Sequence, residues 1–472
     1  MVFSSLIFLC VFLPLTTILY YIIRDRRWRN GLLVAASFVF YAWGEPGYVI
    51  LLLVCGLFNY FSGLTIEKSK DPNKKKAKLV LAVSLNILIL VFFKYTGFLI
   101  ENLNRLLGFT VSAPDIYLPV GISFYTFKAI SYVVDIYNGK VPAQKSYWKF
   151  LLYISLFHHL VAGPIIRYQD IAEEIDCREE TPEGVRDGVR RFIAGLAKKV
   201  ILSNTAAEIA GTFLDGDLSR LSVAGAWLGI LLFAFRIYFD FSGYSDMAIG
   251  LGKMFGFNYG ENFNYPYISK SLTEFWRRWH ISLGTFFRDY VYIPLGGNRK
   301  CLIRNLLVVW FLTGLWHGAS WNFILWGLFN FVFIVIEKKL LKRILERIPG
   351  LFSRIYFVIV TLVGWSFFYF TDTARLLVFV RALFGSERRN FINPDAIILL
   401  QNNCVFIILC ILASTPILKY LSGITERKIE ERSKLAAGVY NIGQPFAYTV
   451  VFIVSLVFLV SQTYNPFLYF QF

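Results

Sequence analysis

The sequence predicts an all-α integral membrane protein whose chain crosses the bilayer many times. Two observations lead to this fold class. Hydrophobic residues make up 56% of the 472 residues and charged residues only 17%, whereas about 25% of an ordinary soluble domain is charged. The charges are also grouped into short blocks between long uncharged runs. A helix needs about 20 apolar residues to cross the hydrocarbon layer, so each long run is a candidate transmembrane helix.

The predicted membrane elements follow one another along the chain as uncharged runs. They lie at 1–23, 31–44 with 46–66, 79–93, 221–235, 305–336, 355–371, 396–418 and 435–472. The first run carries no basic segment at its start and predicts a retained span rather than a cleaved signal. Several runs are too short for a straight crossing, which predicts broken or re-entrant helices buried in protein. The last run is long enough for one crossing and an interfacial tail at 465–472.

Basic blocks on either side of a run predict the topology. Lys and Arg cluster before and after the run 31–66, so both of its ends are expected on the cytoplasmic side and the N-terminus outside. This run turns back at residues 44–47, where Pro and Gly break a helix. The run 305–336 has the same flanks and predicts a hairpin of two half-length or barely full-length helices. Its turn, residues 316–320, is expected inside the membrane or at its far face.

Three stretches are too polar to span the membrane. Residues 167–191 predict an amphipathic surface segment or a cytoplasmic connection, and 425–434 predict a short solvated loop. Residues 261–304 interleave Trp and Phe with basic residues, as in a segment with aromatic anchors at the membrane interface. The net charge of +17 comes from short blocks rather than one basic face, so nucleic-acid binding is not expected. The six cysteines have no C-x-x-C spacing and predict neither disulfides nor a zinc site.

His317 is the strongest candidate for chemistry among the four histidines. It lies at the turn of the 305–336 hairpin, and the small residues 318–320 leave room for a ligand. A neutral imidazole there could accept a hydroxyl or thiol proton. The alternative is a histidine hydrogen-bonded between helices, and position alone leaves both open.

His280 ends the motif TEFWRRWH. On a continuous helix, Trp276 and His280 are four residues apart and share a face. A basic cluster beside aromatic rings suits a ligand that carries phosphate and a ring, such as coenzyme A. The alternative is a cationic anchor that keeps this segment on the cytoplasmic side.

The other polar candidates have weaker signals. His158 and His159 are adjacent and would point to different faces of a helix, so polar packing is expected rather than a metal site. Asp240, Tyr244 and Asp246 predict either an interfacial ion pair and cap or indirect support for a histidine. The sequence contains no P-loop, serine-hydrolase, zinc-protease or dinucleotide-binding motif, which leaves acid–base or acyl-transfer chemistry by one or two histidines.

Several long motifs resemble the membrane-bound O-acyltransferase family, in particular its bacterial branch typified by the membrane subunit of alginate O-acetyltransferase. They are YISKSLTEFWRRWHISLGTFFRDYVYIPLGGN at 267–298, FLTGLWHGASWNFILWG at 311–327, LPVGISFYTFKAISYVVDIY at 118–137, VAGPIIRY at 161–168 and FDFSGYSDMAIG at 239–250. The resemblance implies a single domain over residues 1–472, with a core at about 118–337 and C-terminal helices at 351–472. It also implies a ring of transmembrane helices around a thin core with short re-entrant helices.

The resemblance assigns expected roles to particular residues. His317 corresponds to the near-invariant histidine of the family, and His280 corresponds to the second histidine of the bacterial branch. The residues expected to bind the donor and the substrate are Trp276, Arg278, Arg288, Trp316 and Asn322. Neither a metal ion nor a bound cofactor is expected.

The expected activity is that of a membrane O-acetyltransferase. The resemblance implies an acetyl group taken from cytoplasmic acetyl-CoA, a substrate, and passed outward to a cell-envelope or extracellular polysaccharide. An extracytoplasmic transfer partner is expected, and so is a location in a bacterial inner membrane. Three alternatives remain open: D-alanyl transfer from a carrier-protein thioester to teichoic acid, a transporter of polysaccharide or lipid-linked sugar, and an inactive scaffold subunit. The lack of recognisable inverted repeats argues against a transporter.

Overall fold

The computed structural model describes residues 1–386, 389–417, 419–421 and 434–461, the last range without the side chains of 434–442. Within these ranges all regular structure is helical. Helices α1 to α20 are Leu13–Ile22, Arg26–Ala42, Val49–Glu67, Pro72–Leu107, Ile122–Tyr137, Tyr147–Ser155, Tyr168–Ile171, Glu174–Cys177, Pro182–Ala197, Asn204–Leu214, Val223–Met254, Leu272–Arg278, Ile281–Phe287, Leu302–His317, Trp321–Ile336, Lys342–Arg347, Gly350–Tyr369, Thr373–Leu383, Pro394–Ala413 and Lys434–Ser461. The predicted loop at 425–434, apart from residue 434, and the predicted tail at 465–472 lie outside the described residues.

Six helices of the described chain are long and apolar enough to cross a membrane. They are residues 46–67, 72–107, 223–254, 350–369, 394–413 and 443–461, and Phe8–Ile22 and Leu302–His317 are shorter apolar helices. The most apolar part of α4 is only 11% buried inside the protein, so its outer surface is suited to lipid. The predicted fold class, an all-α polytopic membrane protein, is therefore confirmed.

The predicted hairpin at 31–66 is present as α2 and α3. The Asp25 carboxylate caps α2 by accepting hydrogen bonds from the first backbone N–H groups, and a 3-10 turn at Pro46–Tyr48 leads into α3. The predicted first span is less regular than expected. It forms a π-helical turn, Phe8–Phe12, followed by the ten-residue α1, which together are too short for a straight crossing.

Two predicted spans are parts of longer helices that continue past the charged residues bounding each run in the sequence. Residues 79–93 lie within α4, and the run 221–235 continues through α11 to residue 254. Asp240 pairs with Lys199 at 2.7 Å, and both side chains are almost fully buried. Asp246 pairs with Lys198 at 2.6 Å. Paired charges are tolerated within a membrane helix, so the absence of charge was too strict a criterion for its length.

The predicted hairpin at 305–336 is confirmed as α14 and α15, joined by a turn at residues 318–320. The two helices pack with their backbones in close approach. A Cβ atom added to Gly327 would lie 2.4 Å from the carbonyl oxygen of Trp310, and one added to Gly314 would lie 2.5 Å from that of Phe323. Glycine at these two positions therefore permits the approach that brings the end of α14 beside α15.

The interfacial segment 261–304 is broken into short pieces. α12 ends at Arg278 and α13 begins at Ile281, so the prediction that Trp276 and His280 share one helical face was wrong. The backbone N–H of Ile281 donates instead to the carbonyl oxygen of Asn262 at 2.9 Å, which satisfies a group that a continuous helix would bond internally. His280 lies in this break with a left-handed φ of 44°.

His158 and His159 lie in a turn after α6, so the prediction that they belong to a helix was wrong. The chain leaves the helix ahead of Gly163, whose φ of 103° is left-handed. Both histidines are buried and bonded to packing partners. His159 Nδ1 lies 2.6 Å from Lys128 Nζ, and His158 Nδ1 lies 3.2 Å from the Tyr259 hydroxyl.

Candidate active site

A cavity of about 230 Å³ lies among α12, α13, α14 and the end of α15. Both His280 and His317 line it. Three cationic side chains, those of Arg277, Arg288 and Lys338, line it as well, and it is called the basic cavity below. Most of its remaining wall is aromatic or aliphatic. The two histidines selected from the sequence therefore border one space that also offers positive charge.

A second cavity lies on another side of His317. It has a volume of about 50 Å³ and is called the small cavity below. Its walls are residues 118–124, Lys94, Val161, Trp316 and His317. Among the described residues that line these two cavities, His317 is the one in common. A group held in one cavity and a group held in the other can thus both reach the same imidazole.

The imidazole of His317 is held by aromatic rings. It ends α14 and is only 4% exposed. Its ring stacks on Trp326 with centroids 4.7 Å apart and meets the edge of Phe368 at 5.3 Å. Such packing restricts rotation of the ring, which keeps it in a fixed position between the cavities.

Helix α4 supports the end of α14. The Lys94 ammonium donates to the carbonyl oxygen of Trp316, and the Tyr95 hydroxyl donates to that of Leu315. These carbonyls belong to the last turn of a helix, where no helical N–H remains to bond them. Lys94 therefore stabilises the turn that carries His317.

His280 is held by a polar cluster that sequence reasoning missed. Its Nδ1 lies 3.1 Å from the side-chain oxygen of Asn262, which also accepts hydrogen bonds from Ser282. The amide nitrogen of Asn262 donates in turn to the hydroxyl of Ser245 on α11, at 3.0 Å. Asn262 belongs to none of the motifs used in the sequence analysis. Only its polarity within an aromatic segment could have drawn attention to it.

Trp276 and Arg278 of α12 were both expected to bind the donor or the substrate, but only Trp276 lines the basic cavity. Trp276 lines the basic cavity and donates its indole N–H to Asn330 at 3.0 Å. Arg278 is not among the lining residues, and its guanidinium pairs with Glu274 at 2.9 Å. Arg277 lines the cavity instead of Arg278, which was predicted from the sequence to contact the donor.

Arg288 does line the basic cavity. It pairs with Asp289 at 2.7 Å, and this hydrogen bond raises the pKa of the guanidinium. The side chain therefore stays cationic near neutral pH.

Trp316 and Asn322 were also expected to bind the donor or the substrate, but neither lines the basic cavity. Trp316 lines the small cavity, and its ring lies between those of His280, at 5.7 Å, and Phe127, at 5.9 Å. Asn322 is fully buried and donates to the carbonyl oxygen of Phe367 at 3.1 Å, which joins α15 to α17.

The acidic residues of α11 form ion pairs, and Tyr244 packs against an aromatic ring. Asp240 and Asp246 form the ion pairs described above. The ring of Tyr244 stacks on Phe3 with centroids 4.5 Å apart. Ser245 of α11 connects to His280 through Asn262, and the ring of Phe241 meets that of His280 edge-on with centroids 4.6 Å apart. Within the described part of the chain, no group of three or more His, Cys, Asp or Glu side chains could hold a metal ion.

Comparison with known proteins gives consistent matches. The model of the membrane-bound O-acyltransferase family matches residues 141–380. The protein named "Probable alginate O-acetylase" of Azotobacter vinelandii is 37% identical over 502 residues, which cover 100% of both chains. The peptidoglycan O-acetyltransferase of Helicobacter pylori is 35% identical over 72% of this chain and 70% of its own. The teichoic acid D-alanyltransferase of Bacillus subtilis is 29% identical over 45% of this chain and 57% of its own.

Proposed function

The chain belongs to the membrane-bound O-acyltransferase family, and from this premise we propose that it transfers acetyl groups from cytoplasmic acetyl-CoA for O-acetylation of a cell-envelope polysaccharide. Relatives named for O-acetylation align with most or all of the chain. Relatives named for D-alanyl transfer align with less than half of it and at lower identity. Acetyl is therefore favoured over D-alanyl as the transferred group.

The position of His317 between two cavities carries the mechanistic part of the proposal. The donor thioester enters the basic cavity, and the acceptor hydroxyl reaches His317 from the small cavity. His317 acts as the general base. It takes the hydroxyl proton while the hydroxyl oxygen bonds to the thioester carbonyl carbon. The carbon–sulfur bond then breaks, and the thiolate leaves with a proton returned by the imidazolium.

The charge at the basic cavity supports acetyl-CoA as the donor. Arg277, Arg288 and Lys338 offer three cations beside aromatic side chains, which suits phosphate groups attached to an apolar arm. A volume of about 230 Å³ accommodates the acetylated arm of acetyl-CoA but not the whole molecule. The nucleotide end would therefore remain at the cationic rim.

The size of the small cavity supports a partner protein on the outer side. With about 50 Å³, it holds a group little larger than a few water molecules. A polysaccharide chain does not fit in it. We therefore assign the last transfer to an extracytoplasmic partner that presents a single hydroxyl group or receives the acetyl group at the outer face.

The orientation of the protein completes the proposal. The Lys and Arg blocks at 299–304 and 338–347 flank the α14–α15 hairpin, and by the positive-inside rule they lie in the cytoplasm of a bacterial cell. The basic cavity then opens towards cytoplasmic acetyl-CoA, and the N-terminus lies outside the inner membrane. Residues 1–472 act as one domain in this scheme.

The decisive experiment follows labelled acetyl groups from acetyl-CoA through the purified full-length chain in lipid vesicles. We expect release of free CoA by the wild type and loss of this release in His317→Gln. A matched control is His158→Gln, because His158 is equally buried but lines neither cavity. This variant should keep its turnover.

Three results would contradict separate parts of the proposal. Turnover by His317→Gln at the wild-type rate would exclude His317 as the base. Turnover with an acetylated carrier protein but not with acetyl-CoA would exclude the proposed donor. Absence of turnover with every thioester, together with movement of glycans across the vesicle membrane, would favour a transporter.

A further inference from the structure

We propose that Asn262 is a positioning residue that holds neutral His280 in one tautomer, with the proton on Nδ1 and with Nε2 as a hydrogen-bond acceptor at the basic cavity. The role in catalysis rests on the proposed function, whereas the tautomer is a property of the protein alone.

The backbone of Ser282 fixes the orientation of the Asn262 amide. The Ser282 backbone N–H lies 3.2 Å from Oδ1 of Asn262, and a backbone N–H can only donate. The atom facing it must therefore be the amide oxygen rather than the amide nitrogen. The amide nitrogen is then directed to the Ser245 hydroxyl, 3.0 Å away, which can accept its hydrogen bond. Both ends of the amide are satisfied in this orientation and not in the reverse one.

The orientation of the amide then determines the tautomer of the histidine. His280 Nδ1 lies 3.1 Å from the same Oδ1 atom. An amide oxygen has no proton to give, so Nδ1 must carry the proton of this hydrogen bond. In the opposite tautomer, two lone pairs would face each other in a buried site, which is costly. A neutral imidazole with a proton on Nδ1 has an unprotonated Nε2.

The remaining nitrogen of His280 is available to a substrate. No hydrogen-bond partner of Nε2 is present in the described part of the chain, although His280 is only 2% exposed. The side chain lines the basic cavity, where a ligand could satisfy this nitrogen. A neutral Nε2 accepts a hydrogen bond from a hydroxyl or an amide N–H group. It cannot donate one to a thioester carbonyl oxygen, so His280 orients a proton-bearing group of the substrate.

The cluster that sets the tautomer is rigid. Asn262 is fully buried, and its backbone carbonyl also binds the N–H of Ile281. The hydroxyl of Ser282 donates to Asn262 at 2.9 Å and accepts from the N–H of Ile165 at 2.9 Å. Three separate segments, at 165, 262 and 280–282, are therefore joined through the Asn262 side chain and the Ser282 hydroxyl. This arrangement explains why the chain leaves its helical path at His280.

The structural test uses ¹⁵N NMR of the full-length protein labelled at histidine. Protonated and unprotonated ring nitrogens differ in chemical shift, and His280→Gln identifies the signals of His280 among the four histidines. In the wild type we expect a proton on Nδ1 of His280. In Asn262→Ala we expect a mixture of tautomers. A wild-type signal with the proton on Nε2 would overturn the proposal.

The activity test compares two substitutions of the same residue by CoA release from acetyl-CoA. Asn262→Asp keeps an oxygen that accepts from Nδ1, and it should retain most of the wild-type kcat. Asn262→Ala removes that acceptor, and it should lower kcat by about tenfold or more with little change in KM. Asn86→Ala is a matched control, because Asn86 is a buried amide that pairs with Asn59 away from both cavities.

The two tests separate failure of this inference from failure of the proposed function. If the wild type releases no CoA, acetyl transfer from acetyl-CoA is excluded, while the NMR spectra still decide the tautomer. If Asn262→Ala keeps both a single Nδ1–H tautomer and the wild-type kcat, the positioning role is excluded. If Asn262→Asp fails as badly as Asn262→Ala although both are folded, the hydrogen-bond acceptor is not what matters at this position.

Discussion

At the scale of single residues, the position of a side chain depended on where its helix ends. His280 and His317 were selected from the sequence because histidine is rare in so apolar a chain, and both line the basic cavity. The neighbours of His280 were harder to predict. The helix that carries TEFWRRWH stops at Arg278, so Arg277 rather than Arg278 lines the basic cavity. A helix break formed by hydrogen bonds to a distant segment has no local sequence signal.

The two adjacent arginines provide a test of donor binding. Arg277→Ala removes a cation from the rim of the basic cavity, and a charge-assisted hydrogen bond contributes about 1.5–3 kcal/mol. We expect the KM for acetyl-CoA to rise about tenfold with little change in kcat. Arg278→Ala is the matched control, because it removes an ion pair with Glu274 and a hydrogen bond to the carbonyl oxygen of Asn264, and neither partner lines the basic cavity. Equal effects of the two substitutions in steady-state kinetics would contradict this assignment.

At the scale of elements, paired charges and close backbone packing decide the lengths and positions of helices. The flanking basic blocks correctly predicted the α14–α15 hairpin, because residues 305–336 contain no Asp, Glu, Lys or Arg. The same criterion ended the predicted span at Arg236, although α11 continues to Met254 and contains Asp240, which pairs with Lys199 on a neighbouring segment. Pairing between distant residues is a property of the tertiary structure and cannot be read from one segment.

Glycine at the α14–α15 contact should be needed for stability. In Gly327→Ala the new methyl group would clash with the carbonyl oxygen of Trp310, and overpacking of this kind costs about 1–3 kcal/mol. We expect a lower melting temperature in detergent, measured by tryptophan fluorescence. Gly97→Ala on α4 is the control, since nothing lies within 4 Å of its added Cβ. A melting temperature for Gly327→Ala equal to that of Gly97→Ala would mean that the helices can separate freely.

The buried pair of Asp240 and Lys199 should act on stability rather than on chemistry. Asp240→Asn leaves a buried ammonium without its carboxylate, which costs about 3–5 kcal/mol in comparable sites. The double variant Asp240→Leu with Lys199→Met removes both charges and should recover most of the melting temperature. It should also recover acetyl transfer. Recovery of stability without recovery of transfer would instead show that Asp240 supports a histidine.

At the scale of the whole molecule, the family and the all-α, multi-spanning fold class were predictable, because both depend on features spread along the entire chain. The division into broken segments was less predictable. The first 22 residues form a π-helical turn and a short helix, and the segment 261–304 is broken into short helices, where the backbone N–H of Ile281 bonds to Asn262. Irregular backbone of this kind is tolerated at membrane depth only when it is buried in protein.

The topology of the molecule can be tested with cysteine reporters in intact cells. Cys301 is exposed and lies in the block expected in the cytoplasm, so it should react with a membrane-impermeant maleimide only after permeabilisation. A second reporter, Tyr117→Cys, lies in an exposed segment beside the small cavity and should react in intact cells. In each of the two proteins, every native cysteine other than the reporter is replaced. Labelling of Cys301 in intact cells would reverse the proposed orientation.

The meeting of two cavities at one buried histidine also concerns the electrical insulation of the membrane. An open aqueous pore would let protons and ions flow and would dissipate the voltage across the membrane. Here, the residue common to both cavities is 4% exposed and is stacked against Trp326. A small ion passing this point would have to lose its hydration among apolar rings, at a cost of several kcal/mol. In the proposed reaction, transfer of an uncharged acyl group across such a contact modifies the cell envelope without discharging the membrane.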